Sequence, residues 1–203
     1  MSAQAPSVVD LVFSIQGAGL PRDNRFALMR EIVRCLPWFE AEVGTGIHPV
    51  KSARGNDGQL LLGRRAKLVL RLPEGRVAAA AALEGQVLDV AGSVLHVGAA
   101  HVRSLLPFGT LYAHFVVSES DDELVFLAGV AGELERLRTP CKFVCGRRQT
   151  LYAAERQLEG YSLMLHDLSP EHSLLLQQVG IGRERRLGCG ILVPHKAVAA
   201  VGA

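Results

Sequence analysis

The hydrophobic and polar positions of the first hundred residues predict alternating strands and helices. Residues 7–17 are apolar and rich in β-branched side chains, as in a central strand, and PRDNRFALMREIVRCL has apolar residues at helical spacing before Pro37. The elements that follow are a short strand in WFEAEVGTGIHPV, a strand in AKLVLRLP, a small helix in RVAAAAALEG and a strand in QVLDVAG. The order β-α-β-β-α-β is that of a ferredoxin-like unit.

The same order returns after Leu105. The pattern predicts strands in TLYAHFVVS, TPCKFVCGRRQTLYAA, GYSLMLHDL and CGILVPH, and a long amphipathic helix in DELVFLAGVAGELERL. A second helix is predicted in SPEHSLLLQQVG, capped by Ser169 and opened by Pro170. We therefore predict an α+β protein of two tandem ferredoxin-like (βαββαβ, RRM-like) halves, residues 1–100 and 105–203, with a C-terminal glycine-rich loop.

That loop is the segment GIGRERRLGCG, residues 180–190, between the predicted last helix and last strand. Its four glycines can expose backbone amides to an anion, and its three arginines carry planar guanidinium groups that suit phosphate. A dinucleotide-binding loop is excluded by the element order, because that fingerprint needs a strand before the glycines and a helix after them. The remaining alternatives are contact with another phosphate-bearing ligand or a flexible loop that happens to carry arginines.

Charge is distributed unevenly along the chain. The formal net charge is only +2, so a nucleic-acid partner would have to meet local basic patches rather than bulk charge. Residues 51–76 contain seven Lys or Arg and two acidic residues, and residues 180–196 contain four and one. This asymmetry favours an oriented anion-binding face, although a solvated surface gives the same pattern.

The cysteines and the apolar runs predict a cytoplasmic protein. The four cysteines lack the paired short spacings of a zinc site, which favours thiols in a reducing compartment. No apolar run reaches membrane-spanning length, and no charged and then apolar leader opens the chain. We expect neither a metal site nor a cofactor.

Several sequence blocks together resemble one known family. They are ALMREIVRCLPWFE, GIHPVKSARG, LLLGRRAKLVLRLP, YSLMLHDLSPEHSLLLQQ and GIGRERRLGCGILVPHK, within residues 8–72 and 160–196. In combination they resemble the CRISPR-associated endoribonuclease that processes precursor CRISPR RNA, the sixth Cas family, in its Myxan-type branch. The wider RAMP superfamily has a glycine-rich loop between the final helix and strand of a second ferredoxin-like half. Residues 86–150 carry no such match.

The resemblance implies an activity and a set of partners. It implies metal-independent cleavage within each CRISPR repeat, in which the ribose 2′-OH attacks the adjacent phosphate and leaves a 2′,3′-cyclic phosphate and a 5′-OH. The partners would be repeat RNA, as precursor and mature crRNA, and other Cas subunits of an effector complex. The alternative within the superfamily is a non-catalytic crRNA-binding subunit of that complex.

Proton transfer at neutral pH favours histidine, and the chain has seven. The family's catalytic histidine generally follows the first helix, and His48 in GIHPVKSARG matches that location, so the resemblance implies His48 as the catalytic residue. The alternative is a loop histidine that only hydrogen-bonds the chain. The second proton-transfer group stays open between Lys51, Ser52 and a distant tyrosine.

Structural roles are favoured for five other histidines. Apolar strand-like surroundings favour such a role for His96, His101 and His114, and positions at a strand end and in a first helical turn favour it for His166 and His172.

RNA binding is predicted for the two basic segments. His195, beside Lys196, is a further candidate for RNA contact. For Arg64, Arg65 and Lys67 the alternative is a solvated strand end, because alternate residues of a strand point to opposite faces. The predicted RNA-binding residues are Lys51, Arg54, Arg64, Arg65, Gly180, Gly182, Arg183, Arg185, Arg186, Gly188 and Gly190.

Overall fold

The structure, a computed structural model, describes residues 7–54, 59–153 and 156–195. It is an α+β fold with antiparallel sheets, in which the chain forms two compact units. The first unit contains the chain up to Leu105 together with the segments Tyr152–Gln157 and Arg185–Gly188. The second contains Leu106–Leu151, Leu158–Glu184 and the chain from Cys189.

The first unit is built around a sheet with the strand order β3-β6-β1-β8-β7. These strands are β1 (Val8–Gln16), β3 (Gly46–Ile47), β6 (Lys67–Pro73), β7 (Val87–Val90) and β8 (Ser93–Ser104). A smaller sheet has the order β2-β5-β4, formed by β2 (Gly19–Pro21), β4 (Ala53–Arg54) and β5 (Gln59–Leu61). The helices are α1 (Arg25–Cys35) and α2 (Val77–Ala80), with short 3₁₀ turns at Pro37–Phe39, Glu74–Arg76 and Ala81–Leu83.

The buried residues of the first unit explain why the apolar pattern of the sequence predicted β1 and α1. Leu11 and Phe13 of β1 point to the same face of the sheet and are buried against Leu28 and Ile32 of α1. Successive side chains of a strand point to opposite faces, so the residues between them lie on the other face of the sheet. That face carries the polar residues described below.

The predicted end of the first half is wrong in one respect. QVLDVAG does form a strand, β7, but it lies at the edge of the sheet, and the strand beside β1 is β8. β7 and β8 form a hairpin whose turn residues Ala91 and Gly92 both have positive φ, which suits the twist of a tight hairpin. Only part of β8 is buried, so its apolar pattern is too weak to predict a central strand.

The second unit has a sheet with the order β10-β11-β9-β12. Its strands are β9 (Thr110–Val117), β10 (Lys142–Ala153), β11 (Arg156–His166) and β12 (Val193–Pro194), and its helices are α3 (Glu123–Arg136) and α4 (Pro170–Val179). Ser169 accepts the predicted capping bond from the His172 amide, with Pro170 in the first turn. β12 is shorter than the predicted CGILVPH strand, because Gly190 has a φ of +64° and belongs to the loop.

In the described parts of both units, no helix is long and apolar enough to cross a membrane. No disulfide joins the four cysteines, all of which lie in those parts.

Candidate active site

The middle of the first sheet holds one carboxylate between two guanidinium groups. The register places Asp10 of β1 opposite Arg71 of β6 on one side and Arg103 of β8 on the other. Its sequence neighbours Val9 and Leu11 belong to the hydrophobic core. Asp10 therefore lies on the face of the sheet away from that core.

Charge-assisted hydrogen bonds connect these three side chains. Arg71 donates from Nε to Asp10 Oδ1 at 2.8 Å and from Nη2 to Oδ2 at 3.2 Å. Arg103 donates from Nη2 to Oδ2 at 2.9 Å. The Asp10 and Arg71 side chains are almost completely buried, whereas 54% of the Arg103 side chain is exposed. Arg103 is thus the member of the group that a ligand reaches from solvent.

His48 meets the same carboxylate from a neighbouring strand. It follows β3 directly, and its amide donates to the Val69 carbonyl at 2.9 Å, which extends the pairing with β6. Its Nε2 lies 3.2 Å from Asp10 Oδ1, and 10% of its side chain is exposed. We call Asp10, His48, Arg71 and Arg103 the Asp10 cluster.

The pKa values indicate a neutral histidine beside an ionised carboxylate. Burial alone raises the pKa of Asp10, but hydrogen bonds from His48 and Arg71 outweigh it and hold this pKa well below its usual range. Burial lowers the pKa of His48, Asp10 opposes this change, and the charges of Arg71 and Arg103 add to it. Because an ionised carboxylate only accepts, His48 Nε2 carries the proton that it shares with Asp10, and Nδ1 keeps its lone pair.

The C-terminal loop contributes a short 3₁₀ turn, Arg185–Leu187, to the first unit. Arg25 of α1 donates from Nη1 to the Leu187 carbonyl at 3.0 Å. Arg186 donates from Nε to Thr45 Oγ1 at 3.4 Å. A side chain added at Gly188 would lie 3.0 Å from the Ile47 carbonyl oxygen, beside the start of the His48 segment. The end of this 3₁₀ turn therefore packs closely against β3, directly before His48.

This turn brings Arg185 to the Asp10 cluster. Burial, and then the charge of Arg71, lower the pKa of Arg185 to about 10, while the charge of Asp10 opposes the change. Among the described residues, the groups whose charges act at this place include the guanidinium groups of Arg71, Arg103 and Arg185 and the carboxylate of Asp10. Guanidinium groups are suited to holding an anion such as phosphate.

The four glycines of the loop determine its shape. All have positive φ, which favours glycine, and a side chain at Gly190 would lie 1.9 Å from the Ile181 carbonyl oxygen. Their amides already donate within the protein, from Gly180 to the Leu176 carbonyl, from Gly182 to the Glu133 carboxylate, from Gly188 to the Arg185 carbonyl and from Gly190 to the Phe115 carbonyl. The four amides are thus engaged within the protein, and contact of these glycines with RNA stays a prediction.

The structure separates the three arginines of the loop. Arg185 lies beside the Asp10 cluster, and Arg186 bonds Thr45. Arg183 is exposed and belongs to the second unit, where it forms an ion pair with Glu119. Sequence reasoning could not make this distinction, because all three arginines lie within four residues.

The other predicted RNA-binding residues lie on the surface of the first unit. Lys51 is exposed in the segment after His48, and Arg64 and Arg65 are exposed in the turn before β6. The side chain of Arg54 lies outside the described residues. Within the described part of the chain, no hydrogen bond or ion pair joins Lys51, Arg64 or Arg65 to the Asp10 cluster.

Sequence reasoning missed Asp10, Arg71 and Arg103. Two of them carried a readable signal, since VVDLVF and LVLRLP each have one charged residue within an apolar strand. A charge in a buried strand needs a partner, so Asp10 and Arg71 form a natural pair. Their link to His48 depends on strand register and could not be read in this way.

No group of three or more His, Cys, Asp or Glu side chains is arranged to hold a metal ion in the described ranges 7–54, 59–153 and 156–195. The Asp10 cluster contains two such residues and is otherwise made of arginine. Imidazole and guanidinium groups are suited to proton transfer and to anion binding.

Known proteins resemble this chain along most of its length. The family model described as Cas6 Crispr matches residues 9–197. The CRISPR-associated endonuclease Cas6 of Myxococcus xanthus is 33% identical over 194 residues, which cover 95% of this chain and 84% of that protein.

Solved structures agree at the level of the fold. A Cas6-related protein of Pyrococcus furiosus superposes with a TM-score of 0.65 at 11% identity, covering 92% of this chain and 98% of the other. Thermus thermophilus Cse3, bound to an RNA that represents a pre-cleavage complex, gives 0.55 at 15% identity, covering 92% and 98%. Because the family model spans almost the whole chain and the Myxococcus relative exceeds 30% identity, the chain belongs to the Cas6 family.

Proposed function

We propose that this protein is an endoribonuclease that cuts CRISPR repeat RNA without a metal ion and leaves 2′,3′-cyclic phosphate and 5′-OH ends. The observation that carries the proposal is the hydrogen bond between His48 and the ionised Asp10, with Arg103 and Arg185 beside it. It combines a proton-transfer group with guanidinium groups in one place.

His48 acts as the general base. Asp10 holds Nε2–H and so directs Nδ1 to accept the proton of the ribose 2′-OH. The lowered pKa of His48 keeps the ring neutral at pH 7, which is the form that a base requires. Its small exposed surface limits contact to the reacting group and the atoms next to it.

Arg103 and Arg185 stabilise the phosphate. As the 2′-oxygen attacks phosphorus, negative charge builds on the non-bridging oxygens, and fixed guanidinium groups in a poorly solvated place stabilise it strongly. Arg71 is fully engaged in positioning Asp10, with two hydrogen bonds to its carboxylate. We assign phosphate contact to Arg103, which solvent reaches, and to Arg185, which lies near Asp10 and Arg71.

The reaction ends when the bond from phosphorus to the 5′-oxygen breaks and that oxygen takes a proton. Lys51 and Ser52 are exposed in the segment that follows His48 and are the nearest donors in sequence. The reaction balances without water. The 2′-oxygen replaces the 5′-oxygen on phosphorus, and for the one proton that the base takes from the 2′-OH, one proton is given to the 5′-oxygen.

We also propose that the two units are ferredoxin-like halves, with their boundary along the chain near residue 105. In the first, β3, β6, β1 and β8 lie side by side in the order β3-β6-β1-β8, and β7 extends the sheet at its edge. In the second, the equivalent strands are arranged as β10-β11-β9-β12. Both correspond to the order 2-3-1-4, which supports the proposal.

The partners we propose are precursor and mature crRNA and other Cas subunits of an effector complex.

A second candidate function is a non-catalytic crRNA-binding subunit. One observation favours it: His48 is largely buried and already bonded to Asp10, as expected for a histidine that only stabilises the sheet. The same argument leaves the arginines and the exposed basic residues as RNA contacts.

A cleavage assay with end-group analysis tests the proposal. The purified protein is incubated with a synthetic RNA that carries a CRISPR repeat of the source organism, in excess EDTA. We expect one cut, with a 2′,3′-cyclic phosphate that resists phosphatase until acid opens it, and no cut in RNA with a 2′-deoxy nucleotide at the scissile position. Cleavage that needs an added divalent ion would contradict the mechanism, and binding without cleavage would favour the second candidate.

A further inference from the structure

Three rings form a cluster on the second sheet. Tyr112 and His114 lie on β9, and their neighbours Leu111 and Ala113 belong to the core, so the two rings lie on the opposite face. His195 follows β12, and its amide donates to the Thr110 carbonyl at 3.1 Å, which brings it beside β9. We call these three residues the ring cluster.

The rings contact one another at distances typical of aromatic pairs. Tyr112 and His114 have centroids 5.0 Å apart and an edge-to-face angle of 88°. Tyr112 and His195 have centroids 5.5 Å apart and an angle of 38°. His114 and His195 are exposed and Tyr112 is half-buried. The cluster therefore presents ring surface to solvent instead of completing a core.

We propose that the ring cluster binds an unpaired RNA base by stacking. This inference rests on the proposed function, because it takes repeat RNA as the ligand. Stacking suits every base, since each has a π face, and aromatic residues on an exposed sheet are a general means of binding single-stranded RNA. The inference revises the role of His114, for which the sequence pattern favoured a structural position.

The exposure of the histidines favours RNA over a hydrophobic partner. The imidazole of His195 combines a stacking surface with nitrogen atoms that can hydrogen-bond base edges, which an apolar protein surface does not offer. Gln149 adds a polar side chain, since its Nε2 donates to the His114 carbonyl at 3.3 Å. The site thus combines exposed ring surface with hydrogen-bonding groups beside it.

Fluorescent base analogues test this inference. A set of repeat RNAs carries 2-aminopurine at one unpaired position each and a 2′-deoxy nucleotide at the scissile bond, so that binding is measured without cleavage. We expect quenching at one or two positions with the wild-type protein and its loss with Tyr112→Ala. The affinity of that variant should fall about fivefold to a hundredfold, as expected for one stacked base. The salt dependence of binding should stay unchanged, because no phosphate contact is lost.

Matched variants separate stacking from other roles. Tyr112→Phe and His114→Phe keep a ring and should keep both quenching and affinity. Tyr152→Ala removes an exposed tyrosine of the first unit and should change neither. If His114→Phe or His195→Phe binds normally but cuts at least a hundredfold more slowly, the rings transfer protons instead of stacking, and the inference is overturned.

Two further outcomes are decisive. If wild-type protein binds and cuts RNA while Tyr112→Ala does the same with unchanged quenching, the inference fails and the proposed function stands. If wild-type protein binds no repeat RNA, the proposed function fails as well. Circular dichroism of each variant confirms that the fold is kept, since Tyr112 and the two histidines lie outside the buried core.

Discussion

Each of the two sheets has one face away from its hydrophobic core, and these two faces differ. The first carries a buried cluster of charged side chains, and the second carries exposed rings. On the first, Asp10 and Arg71 are buried and joined by short charge-assisted bonds. On the second, Tyr112 lies among exposed histidine rings. Removing one member of a buried ion pair leaves an uncompensated charge and destabilises the fold, whereas exposed rings contribute little to folding. Changes to the first face should therefore affect both catalysis and folding, and changes to the second should affect RNA affinity alone.

The largest expected effect comes from His48. His48→Gln keeps a side chain that can donate to Asp10 but cannot take the 2′-OH proton. The single-turnover cleavage rate at saturating protein should fall about 10²- to 10⁴-fold, while the affinity for uncleavable repeat RNA stays within a few-fold.

The control is His195→Ala on the second face, which should lower affinity more than it lowers that rate. If His48→Gln cuts within a few-fold of the wild-type rate, His48 is not the base and the comparison between the two faces no longer describes catalysis.

The second effect is on folding. Asp10→Ala leaves the buried guanidinium of Arg71 without its carboxylate, so the free energy of unfolding should fall by about 3–5 kcal/mol. Urea unfolding followed by circular dichroism measures it.

Glu119→Ala is the matched control, because it breaks the exposed ion pair with Arg183 in the second unit. That change should cost at most about 1 kcal/mol. Equal losses for the two variants would contradict the view that burial distinguishes these ion pairs.

The third effect separates two arginines of one loop. Arg185→Ala should weaken repeat-RNA binding at least about tenfold, because it removes the charge-assisted phosphate contact that we propose for this buried guanidinium. The slope of log affinity against log salt should fall by about 0.7 to 0.9. Arg183→Ala, whose side chain is exposed and paired with Glu119, should change affinity less.

Arg185→Lys distinguishes a lost phosphate contact from a damaged fold, since it keeps the positive charge. Binding that recovers in part with lysine supports the contact. Identical binding by Arg183→Ala and Arg185→Ala would show that the position of Arg185 beside the Asp10 cluster has no functional meaning.

The smallest effect is the pH dependence of stability. The folded pKa of His48 is lowered, so the unfolded chain binds the proton more readily, and the stabilisation present above about pH 6.5 is lost as pH falls. The folded pKa of Asp10 is also lowered, so its contribution is lost below about pH 4.

Unfolding at pH 7, 6 and 5 should thus show a decline that His48→Gln reduces, by at most about 1.4 kcal/mol per pH unit. A wild-type and a His48→Gln protein with the same slope would show that His48 is not desolvated in the folded state.

The sequence predicted most elements because their apolar periodicity was strong. β1 and α1 each bury one face, so their spacing is visible in the letters. β8 was not predicted, because most of its residues are exposed and only Leu95 and Val97 carry the buried pattern. His48 was predicted through resemblance to a family, and its catalytic role stays a prediction.

By itself, the sequence determined the α+β class, the two rounds of strands and helices, the place of the glycine-rich loop between α4 and the last strand, and the family. These depend on local periodicity and on motifs contiguous in the chain. Only the tertiary structure decided that Asp10 contacts Arg71, Arg103 and His48. It also decided that Arg185 belongs to the first unit and Arg183 to the second. The physical reason is strand register, because a shift of one residue turns every side chain of a strand to the other face, and no local pattern fixes that pairing for polar residues.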